Sequence, residues 1–194
     1  MKRFFLLGLM TSIFIAGGAL AADTKDNFRL DAPPAFPKGT TVVSSWMSFV
    51  PPIRYSDDYV TKATVGIGYY FWNNHSLNIN AHGMVIDQEG GEAAQGGELS
   101  IMGRYHFFNR DKITVFFDGG VGYTWLDSPE PKTGTTYNFN PLVGLGMGYQ
   151  IKENLWLMGG ARYFHMSNAR QHGGEKNPGY DGLECYVGFL LTFN

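Results

Sequence analysis

From Ile113 to Leu126 the odd positions carry Ile113, Val115, Phe117, Gly119, Val121, Tyr123 and Trp125, and the even ones include Thr114, Asp118, Gly120, Gly122 and Thr124. A period of two sorts these residues onto the two faces of a strand, one apolar and one polar or small. From Tyr137 to Tyr149 the pattern repeats, with Phe139, Val143, Leu145 and Met147 opposite Asn138, Asn140, Gly144, Gly146 and Gly148. It recurs over Tyr59 to Phe71, Ser76 to Val85, Glu98 to Phe108 and Leu155 to Ser167, and more weakly over Thr40 to Phe49 and Tyr180 to Phe193. Most of these eight segments reach the roughly 9–11 residues that a tilted strand needs to cross a bilayer.

The connections alternate in length. Short ones fall at Trp72 to Asn74, Asn109 to Lys112 and Lys152 to Asn154, and long ones at Pro51 to Asp58, Asp87 to Gln95, Asp127 to Thr136 and Arg170 to Gly179. Short periplasmic turns, long outer loops and both strand termini on the periplasmic side form the outer-membrane pattern, so the chain is expected to be all-β, an eight-stranded antiparallel transmembrane β-barrel. Lys62, Glu98, Arg104, His106, Asp118 and Arg162 all fall on the polar face. So many charges suit a lumenal ion-pair network better than a sandwich core. Eight strands enclose a space that side chains fill, which argues against a solute channel. A soluble lipocalin-like barrel would have the opposite polarity, with its apolar residues inside. A mean hydropathy of −0.16 does not exclude the membrane, because alternating strands average to near neutrality.

At the N-terminus, Lys2 and Arg3 precede an apolar run to Ile15, and Ala19-Leu20-Ala21 offers the small residues of a cleavage site. Residues 1–21 therefore read as a signal peptide, residues 22–39 as an irregular, proline-containing periplasmic leader, and residues 40–194 as the barrel. Losing two cations and no acid takes the formal net charge from −2 to −4, which argues against nucleic acid as a partner. The lone Cys185 rules out an internal disulfide framework.

Chemistry concentrates at the end of the seventh segment, where the odd series Leu155, Leu157, Gly159, Ala161, Tyr163 continues into His165 and Ser167. Two residues apart on a strand, these side chains share the lipid-facing side, close enough for an imidazole to take the hydroxyl proton. Taken alone, His-x-Ser is more often a satisfied interfacial pair than a catalytic one, and a non-enzymatic structural or binding barrel remains the rival reading.

The run His165-Met166-Ser167-Asn168-Ala169, followed after a glycine-containing loop by Asn177-Pro178-Gly179-Tyr180-Asp181-Gly182-Leu183-Glu184, resembles the lipid A 3-O-deacylase family of the PagL type. Looser similarity extends over Gly66 to Trp72, Asp118-Gly119-Gly120 and Gly144-Leu145-Gly146. The resemblance implies an outer-membrane serine esterase of a Gram-negative bacterium that hydrolyses the 3-O-linked acyl chain of lipid A. It also implies a triad of Ser167 as nucleophile, His165 as general base and Glu184 as orienting carboxylate, with Asn168 in the oxyanion hole. It implies no metal or organic cofactor and leaves homo-oligomerisation open. Two departures stand out. Arg170 occupies a position where the family usually has glycine, and alternation in the last strand turns Glu184 inward unless a bulge near Gly182 restores it to the His165 face.

Overall fold

A computed structural model of the chain describes residues 35–54, 57–88, 92–130, 134–171 and 179–193. The expected signal peptide, most of the leader, and Asn177 and Pro178 of the C-terminal motif lie outside these residues. The barrel unit comprises β1 (Thr41–Val50), β2 (Pro52–Arg54), β3 (Tyr59–Trp72), β4 (His75–Asp87), β5 (Ala94–Arg110), β6 (Ile113–Glu130), β7 (Thr135–Lys152), β8 (Leu155–Met166) and β9 (Tyr180–Phe193). Neighbours pair antiparallel in chain order, and β1 closes on β9 from Thr41↔Phe193 to Phe49↔Cys185. The three-residue β2 takes over from β1 against β9, so nine segments make eight staves. Closure of β1 on β9 pairs the two outermost strands of the sheet, whose open edges hydrocarbon would not tolerate.

The strands begin and end close to where alternation places them, including β1, whose pattern is the faintest. Several continue further: β5 starts at Ala94 and β6 runs to Glu130, with Glu130↔Thr135 as the last pair of that hairpin. Ladder hydrogen bonds carry a hairpin past the point where lipid requires alternating polarity. At the opposite end the turns are tight, with Asn74 and Asp111 at φ of 63° and 49°. Asn and Asp accept this left-handed conformation more readily than other non-glycine residues.

The lumen is layered. One apolar cluster holds Trp46, Tyr70, Phe116, Trp156 and Tyr186 toward the tight turns, and another holds Val60, Ile86, Phe164, Met166 and Tyr180 toward the long loops. Between them lie the charges expected from the polar face, joined by Glu184. Lys62 Nζ is 3.3 Å from Glu98 and 3.4 Å from Glu184, and Asp118 takes Arg104 at 2.7 Å and Arg162 at 2.9 Å. Arg162 Nη1 also reaches Glu184 at 3.4 Å. Three cations thus meet three carboxylates away from water, where unpaired charge is costly. The glycines of the inner face make room for these large groups. A Cβ at Gly122 would strike the Glu98 carboxylate, and one at Gly144 would strike the backbone of Ala161 and Arg162.

Of the leader, the last residues are described, and they pack against the barrel's apolar cluster at the tight-turn end. Phe36 is fully buried, stacked on Tyr70 at 4.8 Å between ring centroids and tilted against Trp156 at 4.9 Å. Asn74 N–H donates to the Phe36 carbonyl at 2.8 Å, and Lys38 N–H donates to Asn73 Oδ1 at 2.9 Å. An aromatic side chain with no strand periodicity around it gives the sequence no means of announcing this role.

Candidate active site

His165 lies one residue before the end of β8, on the outer face and at the long-loop end of the barrel. In the β8–β9 pairing it stands opposite Asp181, and Asp181 in turn stands opposite Arg54 of β2. Nδ1 of the imidazole is 2.6 Å from Asp181 Oδ1, and the Tyr163 hydroxyl donates to the same oxygen at 2.6 Å. The His165 side chain is 30% exposed and that of Asp181 8%, so the bond sits at the edge of the wall with one side sheltered. An ionised carboxylate only accepts, so Nδ1 carries the proton and Nε2 keeps its lone pair for a base's work.

Ser167 follows the end of β8 and is held in strand geometry by two backbone bonds with Phe139, at 2.7 Å and 3.0 Å. Strand alternation therefore continues through it and places its half-buried side chain on the His165 face. Asn168, next in the chain, is buried. Its Oδ1 accepts the Arg170 N–H at 3.0 Å, an Asx turn that fixes which end of its amide is the donor end. Ala169 and Arg170 adopt φ of 54° and 61°. The backbone at 170 is thus in the conformation that glycine favours, and arginine holds it at a cost of about 1–2 kcal/mol. The Arg170 amide is spent on the Asx turn and is not presented as a second oxyanion donor.

Glu184 is not beside His165. It is fully buried on the lumenal side and stands opposite Arg162, with its carboxylate between Lys62 and Arg162. The β8–β9 register runs from Leu155↔Leu191 to Met166↔Tyr180 without a shift, so the bulge needed to turn Glu184 outward is absent from that pairing. The carboxylate on the imidazole is Asp181, from the same Tyr180-to-Glu184 run. Extending the outward odd series Leu183, Cys185, Val187 back by one step would have found it.

A second serine, histidine and glutamate meet in the lumen, where His82 Nε2 is 2.9 Å from Ser100 Oγ and 3.6 Å from Glu98 Oε1. All three residues are buried among the ion pairs of the lumen, away from the lipid-facing wall that carries His165. Among the described residues, no group of three or more His, Cys, Asp and Glu side chains is placed to hold a metal ion.

A family model described as lipid A 3-O-deacylase (PagL) matches residues 47–189. The chain belongs to this family. It is an outer-membrane β-barrel of the Gram-negative type. A search of curated proteins returned no match. Among solved structures, it is similar to Neisserial surface protein A, with 12% identity, a TM-score of 0.62, and coverage of 80% of this chain and 98% of the other. The N-terminal barrel domain of OprF from Pseudomonas aeruginosa gives 13% identity, a TM-score of 0.58, and coverage of 80% and 98%. Outer membrane protein W of E. coli gives 10% identity, a TM-score of 0.51, and coverage of 81% and 99%. At such identities the likeness is one of fold.

Proposed function

We propose that this chain hydrolyses the 3-O-linked acyl ester of lipid A in the outer leaflet, with Ser167 as nucleophile, His165 as general base and Asp181 as the carboxylate that orients the imidazole. The observation that carries the reading is the 2.6 Å bond from His165 Nδ1 to Asp181 Oδ1 on the lipid-facing wall, two residues from Ser167 on one strand face. Family membership supplies the substrate class. His165 Nε2 takes the Ser167 proton as Oγ attacks the ester carbonyl, and the oxygen turned anionic is met by the Asn168 side-chain amide. His165 then returns the proton to the departing sugar hydroxyl, leaving an acyl-serine that water hydrolyses by the same proton path to release the 3-hydroxy fatty acid. Throughout, the Asp181 carboxylate holds the tautomer and stabilises the imidazolium.

Glu184, which the family resemblance puts in the triad, has another task in this reading: it balances Lys62 and Arg162 inside the barrel. Mass spectrometry of lipid A from cells expressing each variant separates the two assignments. Ser167→Ala should abolish deacylation in a barrel that still folds, and Asp181→Asn should lower it by two orders of magnitude or more. Glu184→Gln should lower the melting temperature while the folded fraction stays active. A folded, inactive Glu184→Gln barrel beside an active Asp181→Asn barrel would return the orienting role to Glu184. Full activity in folded Ser167→Ala would remove Ser167 from the nucleophile's role, and unaltered lipid A in cells expressing the parent barrel would favour a non-enzymatic barrel.

A further inference from the structure

We infer that Tyr163 is a positioning residue for deacylation, its hydroxyl locking the Asp181 carboxylate onto His165; the inference rests on the assignment of Asp181 as the orienting carboxylate. Tyr163 precedes His165 by two residues on β8 and so shares its outer face. Its hydroxyl and His165 Nδ1 converge on one oxygen, Asp181 Oδ1, each at 2.6 Å. The carboxylate is thereby clamped from two sides by side chains of a single strand.

The clamp matters because Asp181 has a competitor. Arg54 stands opposite it on β2, on the side away from His165. A carboxylate turns readily about its last side-chain torsion, and a guanidinium is a strong, forked partner for it. Turned toward Arg54, Asp181 would leave the imidazole free to rotate or to switch tautomer, and Nδ1 would lose the acceptor that keeps its proton there. A donor placed on the His165 side and aimed at the shared oxygen biases the carboxylate against that turn. Tyrosine at this depth would ordinarily be read as part of the aromatic belt, where the ring packs against lipid and the hydroxyl reaches the headgroups. Tyr163 is exposed to that extent, at 44%, yet its hydroxyl donates to a sheltered carboxylate. Packing alone would be served by phenylalanine; the hydroxyl is what the clamp requires.

The test uses the purified full barrel in detergent micelles with lipid A as substrate, following released hydroxy fatty acid by mass spectrometry. Tyr163→Phe is expected to lower kcat about tenfold with KM within twofold and the melting temperature unchanged. The downfield proton resonance of His165 Nδ1–H should shift or broaden in the same variant. A belt residue would move melting or KM and leave both kcat and that resonance alone, and this result would overturn the inference. Asp181→Asn is measured alongside. If it is as active as the parent barrel, the Asp181 assignment itself fails. If it is inactive and Tyr163→Phe matches the parent, only the role of Tyr163 falls.

Discussion

At the scale of single residues, the site is a short strand end where four neighbouring side chains are each constrained by something identifiable. His165 is fixed by Asp181, Asp181 by Tyr163, Ser167 by its backbone bonds to Phe139, and Asn168 by the Arg170 amide. Arg170 is the weak member, since an L-residue at φ 61° carries strain that glycine would not. Arg170→Gly is expected to stabilise the barrel by about 1 kcal/mol and leave deacylation within a few-fold of the parent, measured by thermal melting and fatty-acid release. A loss of stability would mean that the arginine side chain compensates for its own backbone. The pH profile belongs to this scale too. An imidazolium cannot accept the serine proton, so turnover should fall as the pH is lowered, and Ser167→Ala should show no activity at any pH.

At the scale of elements, the β8–β9 hairpin divides two kinds of chemistry between its faces. Arg162↔Glu184 and His165↔Asp181 are both direct pairs, three positions apart, and so they face opposite sides: the first serves the lumen and the second the lipid. A one-residue slip would exchange them, which the long unbroken register prevents. The lumenal network should be stabilising only as a whole. Asp118→Ala would leave Arg104 and Arg162 facing each other without their shared carboxylate, and a loss of about 3–5 kcal/mol is expected in melting or urea titrations of the folded barrel. An unchanged midpoint would mean that water reaches these groups. Alternation let most of this network be read from sequence, because a period of two sorts charges by face without knowledge of partners. It also points Glu184 inward, against the role that the family resemblance implies for it.

At the scale of the whole barrel, the two ends differ, one carrying tight turns and the other the long connections. The tight turn at Glu153-Asn154 joins β7 to β8 on the end where β1 starts and β9 stops, opposite the end that carries His165. An epitope inserted between Glu153 and Asn154 should be hidden on intact cells and one after Gln171 labelled; the reverse would place the site on the inner leaflet. Phe36 packs inside the tight-turn end against Tyr70 and Trp156. Phe36→Ala should therefore cost about 3–5 kcal/mol, as for other fully buried aromatics, with deacylation by the fraction still folded unaffected.

What the sequence by itself determined is whatever follows from local periodicity: strand number, the face on which each residue lies, and the short and long ends. Partners that come from different strands needed the closed barrel, because register is a relation between strands that alternation within one of them does not contain. Only the tertiary structure decided that Asp181 meets His165 and that Glu184 meets Lys62 and Arg162. It also decided that Phe36 packs inside the tight-turn end, since nothing periodic around that residue marks a contact with Tyr70 and Trp156. The physical reason is the same in each case: hydrogen bonds between strands and packing across a lumen join residues distant in the chain, and their choice of partner is made when the barrel closes.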